Sequence, residues 1–508
     1  MKKIDRQKVI SLLEFCVFVV IIVQVFFGVT YLFRNTDYSR RHIVGLKQEK
    51  VDIDMVYVGG SAAFVYWQPL RAWHECGYTS YSYATDSIPA ESIKAYIEEA
   101  RKLQNPELFV VGIRAFQYYS DEPAEQGVRN GTDSMDMTSL SRYKILNEYF
   151  RKREIPEDTD VLSYYLDIAK FHTNVGNLGA SKAWKYIENN EKSENKGWEW
   201  IDQYGYLEQP ANFNTDERAK LPDNDIRLLK ELLTYCKTEN LNVLFVVCPY
   251  WITKEHQTKY NTMADMIQSY GFQYLNANEY YDEMNLDFST DFYNKNHVNL
   301  FGAKKYTEFL EKYISENYNL ENHKGDPAYA SWNEAYQEFQ KQEEQHAQTV
   351  LDLKIHVEKS GEIQKQMKGA KSLAEWQKFA NDSRYTLIVA GTQEIQWPEN
   401  VADQRVLSDW GLTSDSGRYI RVIKGGEIKY TNAKDEALTA EGVLGIWDDT
   451  SYHVSVENEF PVITLNDQQI LTDKTKINVI IFENNYRKMI GSLTLTVNEA
   501  GRVEISYN

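Results

Sequence analysis

DIDMVYVGGSAAFVYW, residues 52–67, is the stretch on which the fold turns. Ile53–Val58 is a short apolar run that stops at Gly59-Gly60, which reads as a buried strand ended by glycines. Ser61 follows directly. Downstream, SYSYA (80–84) reads as a second strand and Pro89–Leu103 as a helix with Pro near its start. ELFVVGI (107–113) reads as a third strand. Strand, helix and strand in alternation predict a parallel sheet covered by helices. The rhythm returns later, with a helix over 225–238, a strand at NVLFVVCPY (242–250) and a helix over 255–270. A short strand at 272–275 and a closing helix over 300–318 complete it.

Outward from this core the composition changes. Residues 120–222 are rich in Asp, Asn, Glu and aromatics, with helical stretches near 139–153 and 162–171, and read as an insertion. The first domain is expected over 50–330 and a helical connector over 331–380. From 381 to 508, short alternating runs such as YTLIVA, SYHVSV and KINVIIF are separated by turn residues at Gly425-Gly426 and Asn466-Asp467. They predict a small β-rich domain.

Toward the N-terminus, Val9–Phe33 reads VISLLEFCVFVVIIVQVFFGVTYLF. At 1.5 Å per residue it spans roughly 37 Å, enough to cross a bilayer with some tilt. No small-residue cleavage site follows, so it reads as a signal anchor behind a short cytoplasmic tail, residues 1–8. Lys2, Lys3, Arg6 and Lys8 precede it, but Arg34, Arg40, Arg41 and Lys47 follow. Charge alone therefore gives only a lean toward the body lying outside.

The 508 residues carry 56 Lys and Arg against 74 Asp and Glu, a formal charge of -18. Such an acidic body is unsuited to neutralising phosphates, so no nucleic-acid partner is expected. Cys16, Cys76, Cys236 and Cys248 show no C-x-x-C pair and no regular spacing, which implies neither a disulfide framework nor a zinc site. The histidines have no H-E-x-x-H or comparable spacing, and no metal or cofactor is expected.

Two positions carry chemistry in combination. A serine at a sharp strand-to-helix turn stands at the C-terminal edge of the sheet, where open α/β sheets place ligands. Taken alone, Ser61 reads first as a helix N-cap. DFYNKNHVNLFGAKKYTEFL (291–310) places His297 in a polar loop before the closing helix. A histidine there can take a proton from a serine hydroxyl. Arg114 follows the third strand at the same edge and reads either as a contact for an anionic or acyl group or as a surface arginine paired to an insertion carboxylate.

Ser61 after the first strand, with His297 in an H-x-N-x-x-G segment near the end, resembles the SGNH/GDSL hydrolase superfamily. Its membrane-anchored bacterial branch, which includes DltD and the alginate O-acetylation proteins, is the nearer likeness. The segments PELFVVGIRAF, LNVLFVVCPYWITKEHQTKYNTM and HVNLFGAKKYTEFL carry it across roughly residues 50–335. The resemblance implies a flavodoxin-like three-layer α/β/α domain with a helical insertion. It makes Ser61 the nucleophile, His297 the general base and the Ser61 backbone N–H an oxyanion donor. The family's acid lies three residues before the histidine, where this chain has Asn294; Asp291, six before, is the nearest carboxylate. Asp291 substituting, a Ser–His dyad and a non-catalytic body all stay open. Ser61 is followed by Ala62 rather than His, and the oxyanion glycine is missing from SYATDSIPA, where Thr85 or Ser87 would stand in.

The resemblance further implies an acetyl transferase or esterase of the bacterial cell envelope. It would act on an exopolysaccharide with a membrane-bound O-acyltransferase (MBOAT) as partner, and its body would be extracellular. The alternative is a degenerate glycan-binding or scaffold protein of an export complex. Glu14 and Gln24 in the anchor would then be candidate contacts to the acyltransferase. RYIRVIKGGEIKY (418–430) and INVIIFENNYRKMIGSLTL (477–495) are loosely similar to the interleukin-like EMT inducer (GG) domain, which implies a binding or positioning role.

Overall fold

A computed structural model of the chain describes residues 6–34, 38–118, 125–152, 155, 157, 159–188, 192–432, 438–446, 448, 450–457 and 460–507. The chain divides into two compact units. The first comprises Met1–Ile201, Pro210–Leu286 and Leu300–Gln345; the second comprises Asp202–Gln209, Asp287–Asn299 and His346–Asn508. Each unit draws on segments that are discontinuous in sequence.

The first unit opens with α1 (Arg6–Phe33) and α2 (Tyr38–Gly45). In α1, Ile10–Phe33 is long and apolar enough to cross a membrane, and every residue from Ile10 to Phe26 is exposed. A buried core helix does not present apolar side chains all round in this way.

There follow β1 (Met55–Gly59), α3 (Ser61–Tyr66), α4 (Pro69–Cys76), β2 (Ser80–Ala84), α5 (Ala90–Leu103), β3 (Leu108–Gly112) and α6 (Ala115–Tyr118). The insertion holds α7 (Glu125–Asp133), α8 (Leu140–Lys152), α9 (Leu162–Tyr165), α10 (Asp167–Phe171), a 3-10 turn at Val175–Asn177 and α11 (Ala180–Glu188). Then come α12 (Asp223–Thr238), β4 (Val243–Val247), α13 (Lys254–Ser269) and β5 (Gln273–Asn276).

The five strands form one parallel sheet in the order β2-β1-β3-β4-β5. This is a doubly wound order whose switch point lies between β1 and β3. β1 and β4 are buried throughout, which is why they read as continuous apolar runs; β2, SYSYA, is equally buried but alternates serine with tyrosine. Helix α5 packs on α12, while α14 (Leu300–Asn317) packs on α3 and α4. Right-handed crossovers put these two groups on opposite faces of the sheet. Tyr57 of β1 points toward α14, where its hydroxyl lies 3.1 Å from that of Tyr306.

Glu311 of α14 is an outlier in this packing. It is buried, and its Oε2 has no hydrogen-bond partner among the described residues. Burial, with Glu75 and Glu308 acting in the same direction, pushes its carboxyl up to about 8. The folded state therefore holds a proton that the unfolded chain releases near 4.5. Stability should fall as pH rises from about 4.5 to about 8 and level off above it. Glu311→Gln is expected to melt higher than the parent at pH 8.5 and equally at pH 5. Equal melting at both pH values would refute the assignment.

The second unit contains β6 (Phe292–Asn294) and β7 (His297–Val298), and takes the helix α15 (Ala330–Glu358) from His346 onward. Its remaining elements are α16 (Ser360–Lys368), α17 (Leu373–Ala380), β8 (Tyr385–Gly391), α18 (Val401–Asp409), β9 (Tyr419–Lys424) and β10 (Glu427–Thr431). They continue with β11 (Thr439–Leu444), β12 (Thr450–Ser455), β13 (Val462–Leu465), β14 (Gln468–Ile470), β15 (Ile477–Glu483), β16 (Lys488–Val497) and β17 (Val503–Tyr507). A six-stranded sheet, β10-β9-β8-β15-β16-β17, and a four-stranded one, β11-β12-β13-β14, make this unit β-rich.

Its central strand β8 has two apolar faces. Leu387 and Val389 pack with Trp376 and Trp410 from the helices, while Ile388 and Ala390 pack with Val454 and Ile463 of the smaller sheet. The period-2 geometry of a strand sends alternate residues to these two clusters.

Candidate active site

Ser61 stands at the carboxyl edge of β1, beside the switch point of the sheet. The N-cap of α3 is Gly60, at φ −84° and ψ −155°, so Ser61 is the first helical residue and does not serve as the cap. Its amide, like that of Ala62, lies before the helical hydrogen-bond ladder begins. A Cβ on Gly60 would lie 3.9 Å from Thr85 O, Ser87 N and Ile88 N, so the 85–88 loop runs alongside the Ser61 turn. Ser87 holds that loop in a left-handed conformation, φ 49°. Thr85 is buried, with Oγ1 3.4 Å from the Tyr96 hydroxyl.

Arg114 lies at the same edge, after β3. Its guanidinium sits 4.1 Å from the centroid of the Tyr250 ring, and Nη1 donates to Cys248 Sγ at 3.7 Å. Burial pushes the Cys248 thiol up, and Arg114 opposes the shift.

Around Tyr250 is a polar cluster that sequence reading passes over, since it weighs His256 only as a metal ligand. The Tyr250 hydroxyl donates to Gln117 Oε1 at 3.2 Å and lies 2.9 Å from His256 Nδ1 and 3.1 Å from the Tyr260 hydroxyl. Burial lowers His256 to about 4, so its ring is neutral at pH 7. Gln117 is buried, and its Nε2 has no partner among the described residues. These residues lie just past the carboxyl ends of β3 and β4, and that placement is the signal by which they are found.

In the second unit, β6 and β7 form a tight hairpin that pairs Asn294 with His297. Asn294 Oδ1 accepts from the Asn296 N–H at 2.9 Å and lies 3.1 Å from His297 Nδ1. Only the amide oxygen can accept from a backbone N–H, so an oxygen faces the imidazole. Nδ1 then carries a proton, and in the neutral ring the lone pair falls on Nε2. The Tyr293 ring stacks on the imidazole at 5.6 Å, with its hydroxyl 3.4 Å from Nδ1. Asp291 is buried, and its Oδ2 accepts from the Asp287 N–H at 2.7 Å, closing the turn that precedes the hairpin. The geometry thus brings Asn294 to His297, and Arg114 to Cys248 and Tyr250.

Neither the models of known protein families nor the curated proteins contain a match to this chain.

Proposed function

We propose that this chain is a serine esterase or O-acyltransferase of the SGNH type, acting on a polysaccharide of the bacterial cell envelope. The observation that supports it best is the fixed tautomer of His297, with Asn294 at Nδ1 and the lone pair left on Nε2. That is the state a general base needs. Ser61 Oγ attacks the acyl carbonyl while Nε2 takes the hydroxyl proton. The developing oxyanion is met by backbone donors that include the Ser61 N–H. The donor's leaving group departs with the proton from His297, leaving an acyl-serine. A sugar hydroxyl or water then attacks, returns its proton to Nε2 and releases Ser61. Arg114 at the sheet edge would meet substrate, whereas Thr85, expected to do so, is fully buried with its hydroxyl toward Tyr96.

The anchor helix fits an enzyme that meets its polymer at a membrane and takes acyl groups from a membrane O-acyltransferase. Lys2, Lys3, Arg6 and Lys8 before the anchor lean toward a cytoplasmic N-terminus with the body outside, and the proposal adopts that orientation.

The reading is tested by exposing the full chain to a serine-directed fluorophosphonate and mapping the adduct. Modification at Ser61, together with hydrolysis of acetyl esters, is expected. A folded protein that takes no label would overturn it. Asn294 adds a second prediction. An amide orients the ring, but a carboxylate also stabilises the imidazolium, so Asn294→Asp should raise turnover by about tenfold or more. An unchanged or lower rate would favour the second reading, a glycan-binding or scaffold body, which rests on the amide standing where the family has an acid.

A further inference from the structure

The anchor helix does not leave the first unit through a free stalk. Its last turn is gripped by the insertion. Arg34 Nη1 meets Asp167 of α10 at 2.9 Å, and Nη2 donates to Met135 O at 2.8 Å. Lys182 of α11 donates to Arg34 O, capping the carbonyl end of the helix. The 3-10 turn at Val175–Asn177 also packs on α1. Thr30, Tyr31 and Arg34 are buried in this collar.

Below the collar, Ile10–Phe26 stands clear. Seventeen helical residues span about 26 Å, against about 30 Å for the hydrocarbon of a bilayer. The free helix is therefore consumed by the membrane, and the collar has to lie at the level of the headgroups.

The collar's surface has the composition of that level. Outside α1, the large apolar residues exposed on the first unit, among those described, are Leu140, Val161, Leu162, Val175, Leu178 and Trp184. All fall within the insertion. Val175, Leu178 and Trp184 are 63%, 44% and 61% exposed and lie on or beside the elements that touch α1. A soluble face gains nothing by showing water a tryptophan and two aliphatics beside a membrane helix, whereas an interface favours them.

We propose that Val175, Leu178 and Trp184 form a face that lies in the headgroup layer of the same bilayer α1 crosses. The partner is the lipid surface itself. The contact is apolar, so a zwitterionic bilayer suffices and added salt should leave it in place. The inference rests on α1 spanning a membrane.

The test uses the full chain in phosphatidylcholine nanodiscs, with a nitroxide placed singly at native Cys16, Val175→Cys, Leu178→Cys or Lys230→Cys. Cys76 is replaced by Ser throughout, and Cys16 by Ser in the last three. Access to oxygen and to a neutral nickel chelate reports depth. Cys16 should read as hydrocarbon and Lys230 as water. At 175 and 178 the oxygen-to-nickel ratio should exceed that at 230 by about twofold or more, as for interfacial side chains. Cys16 in hydrocarbon with 175 and 178 matching 230 would overturn the docking face while leaving the anchor intact. Cys16 reading as water would overturn the anchor, and the face with it. Low access to both reagents at 178 would show a protein cover and also refute lipid docking.

Discussion

If Ser61 is the nucleophile, Ser61→Ala is expected to lower acetyl-ester hydrolysis by about a thousandfold or more, because that reading gives the bond-forming oxygen to Ser61. The start of α3 should survive the change. Gly60, not Ser61, caps α3, so no cap is lost. Alanine is at least as good a helix former as serine, and Ala62 and Ala63 already follow. The melting temperature should move by no more than about 2 °C, the equivalent of a few tenths of a kcal/mol. Steady-state hydrolysis beside a thermal melt separates the two effects. A variant that retains more than a tenth of the parent rate would remove Ser61 from the chemistry, whatever else the sheet edge does.

Asp167→Ala should be strongly destabilising. The Asp167 carboxylate lies 2.9 Å from Arg34 Nη1 and 2.7 Å from Arg142 Nη1, and all three side chains are at least 95% buried. The cluster is short of negative charge. Burial, and next the nearby Arg40, push the Arg34 guanidinium down to about 10, while Asp167 pulls the other way. Removing the carboxylate would leave two buried cations facing each other, at a cost of about 3–5 kcal/mol. The parent and variant full chains, melted in the same micelles, should differ by roughly 6–15 °C. Asp136→Ala is the matched control. Its carboxylate is about half exposed, at 44%, but its partner Arg40 is buried, so a smaller loss of about 1–3 kcal/mol is expected. Equal losses in the two variants would mean that the buried triad does not hold the anchor.

Much of the first unit was legible because parallel strands buried on both faces leave unbroken apolar runs. ELFVVGI contains β3 and NVLFVVCPY contains β4, whereas SYSYA, which maps onto β2 residue for residue, was legible from its alternating tyrosines instead. Glycines and prolines then mark the ends, as at Gly59-Gly60 and Pro89. The second unit was legible as β-rich but not strand by strand. β11, TAEGVL, carries a glycine and a glutamate, β14 is only three residues long, and α18 is a short helix of mixed polarity capped by Asn400. None of these is long enough to show its period.

The grouping of the 287–299 segment with the second unit had no local signal either. It depends on pairing with a distant stretch, seen in the bonds from Gly205 N to Phe292 O and from Leu207 N to Phe288 O. At the site, the residue types at positions 61, 294 and 297 were readable from spacing. The direction of the Asn294 amide was not, because it is set by the hairpin and the Asn296 N–H. The Tyr250 cluster was hidden for the same reason. Gln117, Tyr250, His256 and Tyr260 meet only once β3 and β4 lie side by side.

The grip on the last turn of α1 also governs how the protein searches. A body on a soft tether of n residues samples a dome of radius roughly 5–6 Å times the square root of n. With Arg34 keyed between α10 and α11, that dome collapses toward a single altitude. Encounters then become a matter of drifting in two dimensions and waiting, rather than of stretching toward a target. If the proposed function holds, polymer passing at the right height would be met repeatedly and polymer a few nanometres higher would be missed, so the joint would act as a gauge of where along a strand a mark can be placed.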